Sequence, residues 1–335
     1  KQKTAYEISL GLVGSEMCIR DSLYVVDVSD KTNPQNLGNV TTPSAFTHNA
    51  WVSDNGDYVF TTDEVSDAYL GSYDISDLNN IQEVDRIQSN PGSNSIPHNT
   101  HVDGNFIITS YYRDGTVVHD ITNPNNLIEV AHYDSSPLSG DGFQGCWGTY
   151  PFLPSGNIIS SDIDYGSITK GRLLVYSRDF LQACYLEGNV SDISNSLPIT
   201  NATIEIINPN LTIQTNSDLA GNYMSGIANS SSYDIIFSAP GYLSDTINAS
   251  FTNGNTTIVD AQLQALSSIN ISGTVVDVNG NGIPNSDVLI YNSTFDFTAT
   301  TDLNGNFNIN SIYEGNYDVI VGSWGYVTSC TNEYI

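Results

Sequence analysis

Apolar and polar residues alternate in short runs along most of the chain, and no stretch sustains the apolar period of about 3.6 residues that marks an amphipathic helix. The pattern predicts many short strands and almost no helix. Three of the runs, Leu23-Tyr-Val-Val-Asp-Val-Ser-Asp30, Leu70-Gly-Ser-Tyr-Asp-Ile-Ser-Asp77 and Thr116-Val-Val-His-Asp-Ile-Thr-Asn123, are near copies, with Asp27, Asp74 and Asp120 spaced by 47 and 46 residues. Each is followed by a polar turn and a further alternating run: Asn33-Pro-Gln-Asn-Leu37, Leu78-Asn-Asn-Ile-Gln-Glu-Val84 and Asn123-Pro-Asn-Asn-Leu-Ile-Glu-Val130. Between copies, His48-Asn-Ala-Trp-Val52 matches His98-Asn-Thr-His-Val102, and Tyr58-Val-Phe-Thr-Thr62 matches Phe106-Ile-Ile-Thr-Ser110. A divergent third pass runs through Gly145–Gly156, Asn157-Ile-Ile-Ser-Ser-Asp162 and Arg172-Leu-Leu-Val-Tyr176. Repeats of about 40 to 50 residues holding several short strands predict β-propeller blades. Roughly three and a half blades are legible over residues 23–183, fewer than the four to eight that close a ring, so an open arc or part of a larger ring is expected.

Beyond Asp179 the composition shifts to Asn, Ser, Thr, Ile and Gly, and a second repeat with a period of 84 aligns Asp218-Leu-Ala-Gly-Asn-Tyr223 with Asp302-Leu-Asn-Gly-Asn-Phe307. Tyr233–Tyr242 aligns likewise with Tyr317–Tyr326. Short alternating strands with Asn-Gly and Gly-Asn turns predict two tandem β-sandwiches, at 184–265 and 269–335, with Gln262–Ser268 as linker and the second cut short at its C-terminus. The expected fold class is therefore all-β: a partial β-propeller followed by two β-sandwich domains.

The segments LYVVDVSD, LGSYDISD and TVVHDITN resemble the LVIVD repeat. With His48-Asn49, His98-Asn99, Asp63-Glu64 and the run Trp147–Gly156, their setting resembles the choice-of-anchor B proteins of bacteria. That resemblance implies a secreted or surface-attached propeller with no settled enzymatic activity and a variable C-terminal anchoring signal, which is expected beyond Ile335. The second pair of domains resembles carboxypeptidase regulatory-like sandwiches through Ile271-Ser-Gly-Thr-Val-Val-Asp277, Gly282-Ile-Pro-Asn285, Asp302–Phe307 and Tyr317–Val321. This implies a transthyretin-like or carbohydrate-binding-like fold that serves as a non-catalytic accessory module; Asn195–Thr200 departs from the pattern in the first copy. Residues 1–22, which share neither the composition nor the alternation of the rest, resemble a translated sequencing primer and transposase adapter. They are read as an assembly artefact outside the fold, with the true N-terminus and any signal peptide lost.

Lys and Arg number 9 against 37 Asp and Glu, a formal charge of −28, and no Lys or Arg follows Arg178. Such a surface repels phosphate backbones and anionic lipid, which excludes nucleic-acid binding and electrostatic membrane docking and leaves cations, glycans and basic proteins as partners. No apolar run reaches the roughly 18 residues of a membrane span. Outside the leader, Cys146, Cys184 and Cys330 remain; the first two form a disulfide or stay as buried free thiols, and no Cys/His spacing indicates zinc.

The densest chemistry is His48, Asp63, Glu64, His98, His101, Trp147 and Asp162, expected to line a ligand-binding channel if the two His-Asn pairs open innermost strands. His48, His98 and Asp63 are candidate metal ligands, with structural histidines as the alternative reading. Asp277-Val-Asn-Gly-Asn-Gly282 opens like a calcium loop but has Val288 where the bidentate Glu belongs, so calcium is a lesser candidate and a plain turn the simpler reading. Tyr111, Tyr112, Trp147, Tyr150, Trp324 and Tyr326 are candidate sugar-stacking aromatics or core residues. No nucleophile motif or phosphate loop occurs, so no catalytic residue is assigned. The expected function is a non-enzymatic exported surface protein binding an extracellular glycan or protein; the alternatives are an exported hydrolase with a channel site and a ligand-free stalk.

Overall fold

A computed structural model describes residues 21–163, 171–209 and 212–335. The segment read as adapter lies outside the described residues up to position 20. Every regular element among the described residues is a strand, so no helix there is long and apolar enough to cross a membrane.

The chain forms two compact units. The first runs to Glu187 and takes in Met224–Tyr233 and Ala249–Ile258. It opens with the pair β1 (Ser22–Asp27) and β2 (Gln35–Thr41). Two four-stranded antiparallel meanders follow: β3 (Thr47–Val52), β4 (Tyr58–Asp63), β5 (Leu70–Asp74) and β6 (Gln82–Ile87), then β7 (Pro97–Asp103), β8 (Phe106–Tyr111), β9 (Gly115–Asp120) and β10 (Ile128–Tyr133). A three-stranded sheet of β11 (Cys146–Tyr150), β12 (Ile158–Asp162) and β13 (Arg172–Tyr176) completes the series. The first strands lie side by side, with β7 packed against β3 and against β11.

The repeated Asp-x-Ser/Thr-Asp/Asn signature has a local cause. Asp27, Asp74 and Asp120 each end a strand by accepting, at 2.8 Å, the N–H two residues on, from Ser29, Ser76 and Thr122. Asp30, Asp77 and Asn123 repeat the device on Thr32, Asn79 and Asn125 at 3.0–3.1 Å. Two successive Asx turns thus reverse the chain between β1 and β2 and between the third and fourth strand of each four-stranded meander, which is why short side-chain acceptors recur there. Apolar residues from neighbouring sheets then share a core, as in the cluster of Phe60, Leu70, Val102, Ile107, Ile121 and Leu127. At the end of this unit Ile128 packs with Ala183 and Tyr185, Asp120 Oδ2 accepts the Ala183 N–H at 2.6 Å, and Tyr185–Glu187 pairs in parallel with Thr256–Ile258.

The second unit comprises Gly188–Tyr223, Asp234–Asn248 and Val259–Ile335. In it Val190–Asp192 pairs in parallel with Ala261–Leu263, and Thr203–Ile207 is flanked antiparallel by Ile213–Asn216 and by residues 234–238. Ser268–Thr274 pairs with Asn306–Tyr313, and a four-stranded sheet orders Asp296–Thr300, Asp287–Tyr291, Asn316–Gly322 and Ser329–Tyr334. Val288, Ile290, Ile309, Ile312 and Tyr317 fill the space between these two sheets, giving a sandwich-like domain. Gln262 and Leu263, expected in the linker, belong to a strand, and Ser268 starts the next, so residues 264–267 alone connect them.

Candidate functional site

Each of the three blade-like sheets carries a β-bulge at the same place in its first strand. The register shifts between Thr47 and Asn49 in β3, between Pro97 and Thr100 in β7, and between Cys146 and Gly148 in β11. The residues released from the ladder are His48, His98 with Asn99, and Trp147. A bulge re-aims side chains that regular pleating would send to alternate faces. Here it gathers these three residues of adjoining strands into one cluster.

Hydrogen bonds between side chains and backbone across the sheets hold the bulges in place and repeat with them. Thr62, on β4, donates its hydroxyl to the carbonyl of His98, and Ser110, the matching residue of β8, donates to the carbonyl of Trp147 at 3.0 Å. Asn49 Oδ1 accepts the Thr100 N–H at 3.1 Å. Gly145 lets the third segment approach: at φ +110° its own Cβ would lie 1.9 Å from the Tyr112 carbonyl, the oxygen that accepts the Cys146 N–H at 2.7 Å.

The cluster centres on Glu64, the residue after β4. His48 Nδ1 lies 3.0 Å from its Oε2 and His98 Nε2 lies 3.5 Å from its Oε1, while the Tyr112 hydroxyl donates to Oε1 at 2.6 Å. The two imidazoles stack with centroids 4.5 Å apart, Tyr112 packs on His98 at 4.8 Å, and Trp147 meets its edge at 5.6 Å. Burial by itself would raise the Glu64 carboxyl, but the hydrogen bonds from His48 and Tyr112 and the nearby imidazoles hold it below the ordinary carboxylate range. Burial pushes the His98 imidazole down and the Tyr112 phenol up. One ligand atom each from His48, Glu64 and His98 falls within 4.8 Å of the others, so the trio is spaced to hold a metal ion.

The remaining residues expected at the site stand apart from it. Asp63, the last residue of β4, is fully buried, accepts the Ser44 N–H at 2.7 Å, and burial holds its carboxyl above the usual range. Asp162 is tied to Arg172 at 2.7 Å and accepts the Ser135 hydroxyl at 2.8 Å, so its charge serves the third sheet. His101 packs on Trp51 at 4.7 Å and on Phe152 at 5.9 Å, a separate aromatic group in which burial drives its imidazole down to about 4. Tyr111 and Tyr112 are 1% and 3% exposed and cannot stack on a sugar, whereas Trp147, Tyr150, Trp324 and Tyr326 reach solvent. Asp277 Oδ1 accepts the N–H groups of Asn279 at 2.8 Å and Asn281 at 2.9 Å, which commits the calcium-like segment to its own turn. Cys146 and Cys184 are buried free thiols and Cys330 is exposed.

The roles of Ser110 and Thr62 escaped the sequence reading. Their signal was the aligned hydroxyl that closes both Tyr58–Thr62 and Phe106–Ser110. Tyr112→Phe removes one donor to a charged acceptor and is expected to cost about 1–2 kcal/mol in urea unfolding, with no change in midpoint as the contrary result.

Residues 185–264 and 270–333 each match the family model of the carboxypeptidase regulatory-like domain. No curated protein matches the chain. Among solved structures, the streptococcal ancillary pilin is similar at 11% identity and TM-score 0.36, over 78% of this chain and 80% of the pilin. The shaft pilin SpaA of Lactobacillus rhamnosus GG follows at 10% and 0.27, over 46% and 93%, and the TIE protein of Bacillus anthracis at 15% and 0.26, over 96% and 56%. Among the described residues the chain is all-β, with two segments that match the regulatory-like domain model after a series of meander sheets.

Proposed function

We propose that this chain is a non-enzymatic, exported binding scaffold of the cell surface or extracellular space, in which LVIVD-type propeller blades present the binding face and the two sandwiches act as spacers or glycan-binding modules. The observation that carries this reading is the repeated bulge: one framework places His48, His98 and Trp147 at equivalent positions, with His48 and Trp147 reaching solvent on either side of the buried His98, so the side chain varies while the backbone device repeats. That is the arrangement of a recognition surface. The partly exposed aromatics Phe152, Tyr150 and Trp147 add rigid, amphipathic contact area of the kind that glycans and proteins bind. A charge of −28 turns the face away from nucleic acid.

Protease shaving of intact cells that produce the full-length gene product tests the location: peptides from residues 21–335 are expected in the released fraction, and recovery only from the cell interior overturns export. A glycan array probed with the whole chain tests the ligand class, and silence across all glycans removes the glycan arm. The second reading, an exported hydrolase, is favoured by the His48–Glu64–His98 trio and requires turnover of an ester, amide or glycoside that Glu64→Gln abolishes.

A further inference from the structure

We propose that His48 Nδ1, the Glu64 carboxylate and His98 Nε2 bind one divalent first-row transition-metal ion, with the remaining coordination positions open toward solvent. The inference is independent of where the chain resides or what its face recognises.

The geometry around His98 carries it. Its Nδ1 is hydrogen-bonded to the Trp147 carbonyl oxygen, which can only accept, and the Asn99 amide nitrogen 3.0 Å from the same Nδ1 donates instead to that carbonyl at 3.4 Å, so Nδ1 holds the proton and the neutral ring presents the lone pair of Nε2. That lone pair faces Glu64 Oε1 at 3.5 Å in a side chain only 3% exposed. Two electron-rich atoms turned toward each other away from water are unfavourable unless a proton or a metal cation lies between them, and burial disfavours the protonated ring. His48 Nδ1 donates to the other carboxylate oxygen at 3.0 Å, and coordination would move that proton to the ring's Nε2; the ring is 29% exposed, which leaves a path for the ion.

Metal–ligand bonds of about 2.0–2.2 Å place neighbouring ligand atoms roughly 3–3.5 Å apart. The three ligand atoms lie within 4.8 Å of one another, so coordination requires them to draw together by about 1–2 Å. The supporting shell is in place: the Trp147 carbonyl fixes the His98 tautomer, Ser110 anchors that carbonyl at 3.0 Å, and Tyr112 orients Glu64 at 2.6 Å. Two imidazoles and one carboxylate select zinc, iron, manganese or cobalt over calcium and magnesium, which prefer all-oxygen shells. Three protein ligands leave positions vacant for water or an incoming group.

The test is competition of the untagged, chelator-stripped full chain with a chromophoric chelator for Zn²⁺. One equivalent is expected to bind, with Co²⁺ giving ligand-field absorption in its place. Glu64→Gln, which keeps the side-chain shape, and His98→Ala should each weaken Zn²⁺ by at least about 100-fold, beyond the cost typical of losing an outer-shell partner. His132→Ala, on β10, should leave affinity unchanged. Circular dichroism of Glu64→Gln separates ligand loss from unfolding, since a folded variant that no longer binds supports the site. Equal Zn²⁺ affinity in Glu64→Gln and wild type, displacement of Zn²⁺ by equimolar Ca²⁺, or no binding at all overturns the proposal.

Discussion

Replacing Phe60 by alanine is expected to destabilise the first unit by about 3–5 kcal/mol, the cost of emptying a large buried aromatic site that cannot collapse around the void. Phe60 lies on β4 with no exposure, and its cluster joins Leu70 of β5 to Val102 of β7 and Ile107 of β8. The side chain therefore does more than fill one sheet: it glues two meanders whose strands share no hydrogen-bonded ladder. A meander of four strands has two faces and can cover neither alone, so loss of this contact should loosen both sheets. Urea unfolding followed through Trp51, which packs against the cluster, measures it. Leu219→Ala, at a site 84% exposed, should stay within roughly 0.5 kcal/mol. A Phe60→Ala loss below about 1 kcal/mol would show that the sheets do not depend on one another.

The second large effect is acid sensitivity from His119. This residue of β9 is fully buried, neither ring nitrogen has a hydrogen-bond partner, and burial pushes its imidazole down from 6.5 to about 4. Glu129 and His132 of β10 face it with opposite effects, the carboxylate favouring protonation and the imidazole opposing it. Because the folded value lies below the unfolded one, the unfolded chain binds the extra proton first, and stability falls as pH drops from 6.5 toward 4. Each pH unit in that window costs about 1.4 kcal/mol, roughly 3 kcal/mol in all, with no contribution above it. His119→Leu should remove this slope and also stabilise the protein near neutrality by relieving two unpaired polar atoms, by about 1–3 kcal/mol. The measurement is the difference between wild type and variant in denaturant midpoint across the window, which cancels the titration of the many surface carboxylates. Parallel curves at every pH would refute the assignment.

Much of this was legible before folding was considered. The Asp-x-Ser/Thr-Asp/Asn copies marked the ends of β1, β5 and β9 because an Asx turn needs its acceptor at a set position in the sequence, a local requirement that the sequence displays directly. The match of His48-Asn49 to His98-Asn99 marked equivalent first strands for the same reason. Buried and exposed aromatics were harder to separate: Tyr112 and Trp147 look alike in sequence, yet one is sealed under Phe143 and His98 and the other is 53% exposed.

By itself, then, the sequence determined the strand content, the recurrence of similar sheets, the turn chemistry and the sign of the surface charge, all of which follow from periodicity and short-range hydrogen bonding. Only the tertiary structure decided which acid of Asp63-Glu64 joins the histidines, that Asp162 belongs to Arg172, and that His101 leaves the group for Trp51 and Phe152. The reason lies in the bulges. One extra residue in a strand reverses the facing of the side chains beside it, and whether that residue is present depends on how the strand pairs with its neighbour, a long-range fact that no local pattern records.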